Sequence, residues 1–475
     1  MSQPSVKHHC GLFGIHGDPQ AAWLTFLALH AQQHRGQEAA GICSTDGQQI
    51  KRYAAPGLVT EVFSERTLAN LENPTAIGHV RYSTTGASHK TNNQPFLIQN
   101  NQFGAVAIAH NGNLINADLL RKKFEEAGAV FTTTSDTEVI VHLLAQPSDD
   151  NLERRLIWML DHLQGAYCLL LLFPETLVAI RDPYGIRPLC IGRTKDGAYT
   201  VASETCALDR VGAEYLRDVE PGEMVFIDRD GLRSRKFVTE SAVTPAHCIF
   251  EQVYFADPAS NVFGENVHLV RKRMGAELAR EAPIEADAVV PIPTCAVCPA
   301  LGYARESGIP FERGYTTSHY VGRSFIMPDQ VNRDLAVKMK LNVIEDNVRG
   351  RRLVVVEDSV VRGTTTRGKI GALREAGASE IHLRVASAPI RHPCYYGIDF
   401  PDPAKLIAND RSVDEIRDYL GVDSLHYLSL EGMLRAVKHD DGHYCTACFS
   451  GKYPVPVTHQ FDKYSLDRRQ LVMFD

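Results

Sequence analysis

The stretch RLVVVEDSVVRGTTT, residues 352–366, limits the fold more than any other part of the chain. Its first half, 352–359, is apolar at consecutive positions rather than at alternate ones. A strand of that kind is buried on both faces and belongs inside a parallel sheet covered by helices. The run ends in two adjacent carboxylates, Glu357 and Asp358. Ser359 and then Arg362-Gly363-Thr364-Thr365-Thr366 follow, a turn leading into a helix predicted over 365–376. Ligands of open α/β sheets bind at the carboxyl edge, where these acids would emerge. Gly363 lets a ligand approach the backbone, the threonine hydroxyls add donors, and the helix N-terminus favours an anion. The acids can hold a sugar diol while the turn holds its phosphate. The plainer alternative is a strand–turn–helix with surface acids. The lack of a Walker lysine pattern argues against a nucleotide P-loop.

Two further runs, AVVPIP at 288–293 and IHLRVASAP at 381–389, predict companion strands, with helices between them. Upstream the texture differs. Short apolar runs near 76–83, 105–115, 166–181 and 198–204 are closed by Gly, Asn and Pro, and read as strands of antiparallel or mixed sheets. Helices are predicted over 23–33 and 136–144, the second with Thr134-Ser135-Asp136 as its N-terminal cap. The change falls at 239–246. The expected organisation is therefore a unit over 10–240 and a second over 241–475, whose last thirty residues form a polar tail packed on it. A chain of 475 residues can fill the cores of both.

A net charge of −7 with no long basic block gives no reason to expect nucleic-acid or anionic-membrane binding. The opening MSQPSVKHH is polar and is no signal peptide. The most apolar stretch, 167–180, is broken by Pro174 and Glu175 and is too short to span a membrane. These features predict a cytoplasmic protein. Disulfides are rare in that compartment, so some of the eleven cysteines are expected to be ligands or nucleophiles.

Cys10 opens the string CGLFGIHG after nine polar residues. If 1–9 are removed as a propeptide, Cys10 carries a thiol and a free α-amino group together. An α-amino pKa of roughly 7.7–8.0 suits proton transfer near neutrality. A buried cysteine in a first strand is the alternative reading of its position.

Around these features the chain resembles known families. VVVEDSVVRGTTT is similar to the phosphoribosylpyrophosphate (PRPP) loop of type I phosphoribosyltransferases, with Glu357-Asp358 where an Asp-Asp pair is usual. The resemblance implies that Glu357 and Asp358 hold the ribose hydroxyls, that 361–366 hold the 5-phosphate, and that Mg2+ arrives with the pyrophosphate. The N-terminal half resembles glutamine amidotransferases of the N-terminal-nucleophile class. It does so through CGLFGI, HRGQEAAGI, GHVRYSTTG, AHNGNL, SDTE, RDPYGIRPL and ASET, in that order. The implied fold is an αββα sandwich followed by a phosphoribosyltransferase α/β domain. The implied roles are Cys10 as nucleophile, Asn111 and the Gly112 N–H as oxyanion donors, Arg81 for the substrate carboxylate and Asp136 for its ammonium. Taken alone, Asn111-Gly112 is also a good hairpin turn and Asp136 a good helix cap.

Cys445-Thr446-Ala447-Cys448 is a CxxC pair, and Cys248 and Cys394 stand singly in aromatic settings. These four thiolates would suit a [4Fe–4S] cluster or structural zinc. Cys295 and Cys298 form a second CxxC, so 295, 298, 445 and 448 are a rival set, and spacing does not choose between them. The order of glutaminase and PRPP loop is the layout of the glutamine PRPP amidotransferase family. Its iron–sulfur branch has ligand contexts matching Cys248, Cys394, Cys445 and Cys448, and a leader ahead of the nucleophile. Cys43, Cys168, Cys190 and Cys206 are then core or surface residues. The resemblance further implies ammonia passing along a closed internal path, purine nucleotides as feedback inhibitors, and a homo-oligomer, commonly a tetramer.

One segment departs from the family. Where Pro-Asp-Ser-Gly is usual after the first parallel strand, this chain reads Pro293-Thr294-Cys295-Ala296-Val297. The loss of a carboxylate, a hydroxyl and a glycine weakens the expected pyrophosphate and Mg2+ contacts, with Cys295 in the serine position. Downstream, GRSFIMP, Arg333, Lys338 and Lys340 match the family's loop over PRPP. The departure keeps two other functions in view: a relative that binds PRPP or nucleotides without turnover, and an amidotransferase for another sugar phosphate.

Overall fold

The computed structural model describes residues 10–82, 90–100, 102–146, 151–239, 244–317, 341–400, 402–438 and 442–457. Strands between 11 and 236 form two antiparallel sheets. The first has the order Ala213–Asp218, Cys190–Thr194, Tyr199–Ala202, Gly11–His16, Thr75–Arg81, Ala39–Thr45, Ile50–Pro56. The second runs Gly231–Lys236, Glu223–Asp228, Leu177–Arg181, Gly165–Leu172, Gly104–Leu114, Phe96–Asn100.

Alternation along the strands explains how the sheets stack. Leu170 and Leu172 point into a core shared with Leu12, Cys43 and Ile77 of the other sheet. Leu169 and Leu171 point the opposite way, against Val139 and Ile140 of helix Thr137–Leu144 and Leu156 and Met159 of helix Leu152–Leu160. On the far side, Phe13 and Ile15 meet Ala21, Ala22, Ala28 and Leu29 of helix Ala21–Ala31. The result is the αββα stack expected above, and it explains why CLLLL in an antiparallel strand is apolar on both faces.

The C-terminal half holds a four-stranded parallel sheet in the order Ala288–Pro291, Arg352–Glu357, Glu380–Val385, Ser424–Tyr427. Val354 and Val356 face one helical layer with Tyr303 of helix Val297–Ser307, while Leu353 and Val355 face Ile370 and Leu373 of helix Thr364–Glu375. The Leu-Val-Val-Val run is thus buried on both sides. Element ends differ from the sequence reading by a residue or two. The run 166–181 is two strands joined by a turn in which the Phe173 N–H donates to the Thr176 carbonyl. The run 381–389 forms a strand only to Val385, and the Ala386 N–H makes the last rung of the ladder by donating to the Glu357 carbonyl at 2.8 Å. Asn111-Gly112 is not a turn: both residues lie inside strand Gly104–Leu114. Asp136 precedes its helix without a capping side-chain bond. Among the described residues no helix is long and apolar enough to cross a membrane.

Helices Val267–Glu281 and Val297–Ser307 touch backbone to backbone. A methyl built on Gly302 would stand 1.9 Å from the Lys272 carbonyl oxygen, and one on Gly275 1.9 Å from that of Pro299. Neither obstacle is a flexible side-chain tip, so the helices themselves must move. Gly302→Ala is expected to cost about 1–3 kcal/mol, read as a lower urea midpoint; an unchanged midpoint contradicts this packing.

Candidate active sites

A cavity of about 470 Å3 opens at the carboxyl edge of the parallel sheet, lined by Glu357, Asp358, Ser359 and 361–366 among others. Gly363 adopts φ +77°, and no side chain caps the helix that starts at Thr364, so its first amides are left for a ligand. Ile407 packs 2.6 Å from where a Cβ on Gly363 would lie. Glu357 and Asp358 are both pushed above the usual carboxylate range, first by burial. Each is a neighbouring negative charge for the other, and Lys369, with Nζ 3.6 Å from Glu357, offsets only part of this. Cys295 lines the same cavity, its thiol pushed up to about 12 by burial and by the two acids. Arg333, Lys338 and Lys340 lie outside the described residues.

The second site surrounds Cys10, buried at the start of strand Gly11–His16. Burial raises its thiol to about 11, against the opposing influence of a Tyr82 backbone hydrogen bond and the Arg81 charge. Arg81, Asp136 and Glu38 are the charges it feels. Burial opposes ionisation of Asp136, yet the His110 ring, the Leu114 N–H at 3.0 Å and the Thr137 hydroxyl outweigh it and hold the carboxyl low. Asn111 is fully buried, and neither its amide nitrogen nor its amide oxygen has a partner. An unsatisfied buried amide costs about 1–3 kcal/mol, which a ligand oxygen could relieve. Gly112 is required by space: a Cβ there would stand 2.0 Å from the Ala166 carbonyl.

A buried ionic network joins the two sites, and the sequence reading missed it. Arg35 donates through Nη2 and Nη1 to Glu251 at 2.8 and 3.1 Å, through Nη1 to Glu204, and through Nε to the Cys10 carbonyl at 3.3 Å. Arg187 donates to Glu251 at 3.1 Å and to the Tyr396 carbonyl at 2.7 Å. All four of these ionic side chains are fully buried. Arg35 and Glu204 lie in quoted motifs, HRGQEAAGI and ASET, and that was the available signal. Glu251 lies in a five-residue π-helix, Glu251–Phe255, that no periodicity announces.

The cysteines divide by place. Cys248 and Cys445 face each other in a two-residue parallel bridge, and the Arg391 and His392 N–H groups both donate to the Cys448 carbonyl. Burial first raises Cys248, Cys445 and Cys448, followed by Glu251 and Cys394 at Cys248 and by neighbouring thiols at Cys445 and Cys448; Cys394 acts on all three. Cys298 instead contacts His268 Nδ1 at 3.2 Å, and Cys295 lies beside Glu357 and Asp358, so the second CxxC has a different setting. Among the described residues no group of three or more Cys, His, Asp or Glu side chains stands ready to hold a metal ion. Cys43, Cys168 and Cys190 are buried, and Cys206 is half-buried.

The comparisons with known proteins agree with this layout. The model of the glutamine amidotransferase domain matches residues 79–210. Amidophosphoribosyltransferase 1 of Arabidopsis thaliana is 48% identical over 95% of this chain and 80% of its own. The Bacillus subtilis amidophosphoribosyltransferase is 46% identical over 95% of each chain. The chain belongs to the amidophosphoribosyltransferase family. The solved B. subtilis glutamine PRPP amidotransferase, in complex with ADP and GMP, superposes with a TM-score of 0.90 at 45% identity, over 95% of this chain and 99% of that one. The structure of the allosteric regulatory enzyme of purine biosynthesis gives 0.91 at 46%, over 95% and 98%.

Removing one partner from a buried charge cluster strands the others. Arg35→Met leaves Glu204 and Glu251 short of their main counter-charge, and is expected to lower stability by about 3–5 kcal/mol. Equilibrium urea unfolding measures it; a midpoint within error of the unmodified protein would refute the assignment.

Proposed function

We propose that the chain transfers glutamine-derived ammonia to PRPP, giving 5-phosphoribosylamine, glutamate and pyrophosphate, the opening step of purine synthesis. The observation that carries this reading is the pairing, in one chain, of an uncapped helix N-terminus following two buried acids with a buried cysteine and a fully buried, unpartnered amide at Asn111. Family membership supports it. Cys10 would attack the amide carbon as thiolate, with its own amine as base once 1–9 are removed. Asn111 and the Gly112 N–H would receive the oxyanion, while Arg81 and Asp136 hold the amino-acid end. Ammonia leaves, and water hydrolyses the thioester to glutamate. In the cavity Glu357 and Asp358 would hold the ribose hydroxyls, and Ser359, Arg362, Gly363 and Thr364–Thr366 the 5-phosphate. Ammonia then displaces pyrophosphate.

The acid pair fits Mg2+, a hard cation that takes oxygen ligands and would relieve the mutual repulsion of the two carboxylates. When bound, it would neutralise pyrophosphate charge. The Cys295 thiol does not fit that role, since it is soft and burial keeps it protonated. Cys248, Cys394, Cys445 and Cys448 fit an iron–sulfur cluster by donor chemistry: Cys248, Cys445 and Cys448, whose ionisation is opposed by burial and by neighbouring thiols, gain from a cationic partner. A [4Fe–4S] cluster there would tie the tail to the 248 and 394 segments. The same reading gives a cytoplasmic homotetramer inhibited by purine nucleotides.

The test is purified protein supplied with glutamine, PRPP and Mg2+. Glutamate and pyrophosphate should appear in equal amounts, and pyrophosphate release should stop without PRPP or a nitrogen source. Glutaminase activity with no PRPP-dependent pyrophosphate would overturn the reading and favour the binding-only alternative raised by the 294–297 departure. The intact mass of the native protein should show loss of 1–9 and gain of four irons and four sulfides.

A further inference from the structure

His34 links the two sites. It lines the cavity at the parallel-sheet edge, although it comes from the N-terminal half. Its Nε2 stands 2.8 Å from Glu204 Oε1. The other oxygen of Glu204 accepts from the Asp257 N–H and the Ser260 hydroxyl, each at 2.8 Å, and Asp257 is itself a cavity residue. Arg35 donates to the same Oε1 that His34 contacts, and through Nε to the carbonyl of Cys10. The path from cavity wall to nucleophile backbone is therefore His34, Glu204, Arg35, Cys10, with a direct polar contact at every step.

Exposure decides which member responds to a ligand. The Glu204 and Arg35 side chains are fully buried, whereas the His34 side chain is 28% exposed. Only His34 of the three can meet a molecule in the cavity. Its competing attractions are Glu204 on one side and an anionic ligand on the other. Burial opposes ionisation of Glu204, but its contacts with His34 and Arg35 hold it well below the usual carboxylate range. Any pull on His34 therefore changes what Arg35 alone must neutralise, and Arg35 is the group that grips the Cys10 carbonyl.

Resting on the function proposed above, we propose that His34 is a positioning residue through which a phosphorylated ligand in the cavity sets the geometry of Cys10. The ligand is an anionic sugar phosphate of the PRPP class. The role belongs to coupling between the sites, not to chemistry at either one. It is carried by direct polar contacts from the cavity wall to the Cys10 carbonyl.

The experiment uses the full-length protein and its His34→Ala and His34→Gln variants. Two quantities are read: the ratio of glutamine turnover with PRPP and Mg2+ to turnover without PRPP, and the PRPP dissociation constant by calorimetry. The unmodified protein should give a ratio above one. His34→Ala should lower that ratio about tenfold or bring it to one, while the PRPP dissociation constant stays within about threefold. His34→Gln, whose amide nitrogen can occupy the place of Nε2, should recover most of the ratio and shows that folding is intact. An unchanged ratio in His34→Ala overturns the proposal. So does a ratio that falls only in step with PRPP affinity, because His34 would then be a wall contact alone. If the unmodified protein does not bind PRPP, the function proposed above fails first, and the proposal falls with it.

Discussion

The buried cluster of Arg35, Glu204, Glu251 and Arg187 is the interaction on which the other arrangements depend. Four ionic side chains with no solvent contact cannot be left half-paired, since each bare charge would cost several kcal/mol. Arg35, Glu204 and Arg187 come from the antiparallel sandwich, and Glu251 comes from the segment leading into the parallel-sheet half. The two halves must meet in one register for the charges to balance. That register fixes Cys10 through its carbonyl and fixes the 394–397 segment through the Tyr396 carbonyl.

The same contacts bring the thiol group into the scheme. The charge of Arg187 acts on Cys248 and Cys394 as well as on Glu251. Asn113 donates to the Tyr395 carbonyl at 2.9 Å, and a methyl on Gly397 would lie 3.3 Å from the Gly112 carbonyl. The segment bearing Cys394 thus braces the strand that carries Asn111 and Gly112. Tail residues close over it: the Tyr396 hydroxyl donates to the Val455 carbonyl, and the Tyr453 hydroxyl to the Pro393 carbonyl. Structure around the thiols and geometry at the oxyanion position are one packing problem.

Much of this was legible in the sequence because it is local. The apolar run from Leu353 to Val356 needs both faces covered, and Gly363 with its threonines needs a turn into a helix; both follow from consecutive residues. The αββα stack was legible only through the ordered glutaminase motifs, since short apolar runs closed by Gly, Asn and Pro indicate strands but not how their sheets stack. What stayed hidden was long-range pairing. Arg35 and Glu251 are 216 residues apart, and nothing in either neighbourhood says that they meet. Asn111-Gly112 misleads for the opposite reason: its local preference for a turn is overruled by the ladder to Cys168 and Tyr167. The two CxxC pairs became distinguishable only once the fold put Cys445 beside Cys248 and Cys295 beside Asp358.

On the proposed function, ammonia released at Cys10 reaches the cavity at the parallel-sheet edge without mixing with the solution. This is tested most directly by supplying glutamine labelled with 15N in its amide, together with PRPP, Mg2+ and excess unlabelled ammonium. If ammonia passes internally, the nitrogen of the phosphoribosylamine formed at near-neutral pH carries the label undiluted by the bulk pool. Product nitrogen that matches the isotopic composition of the solution would contradict the account.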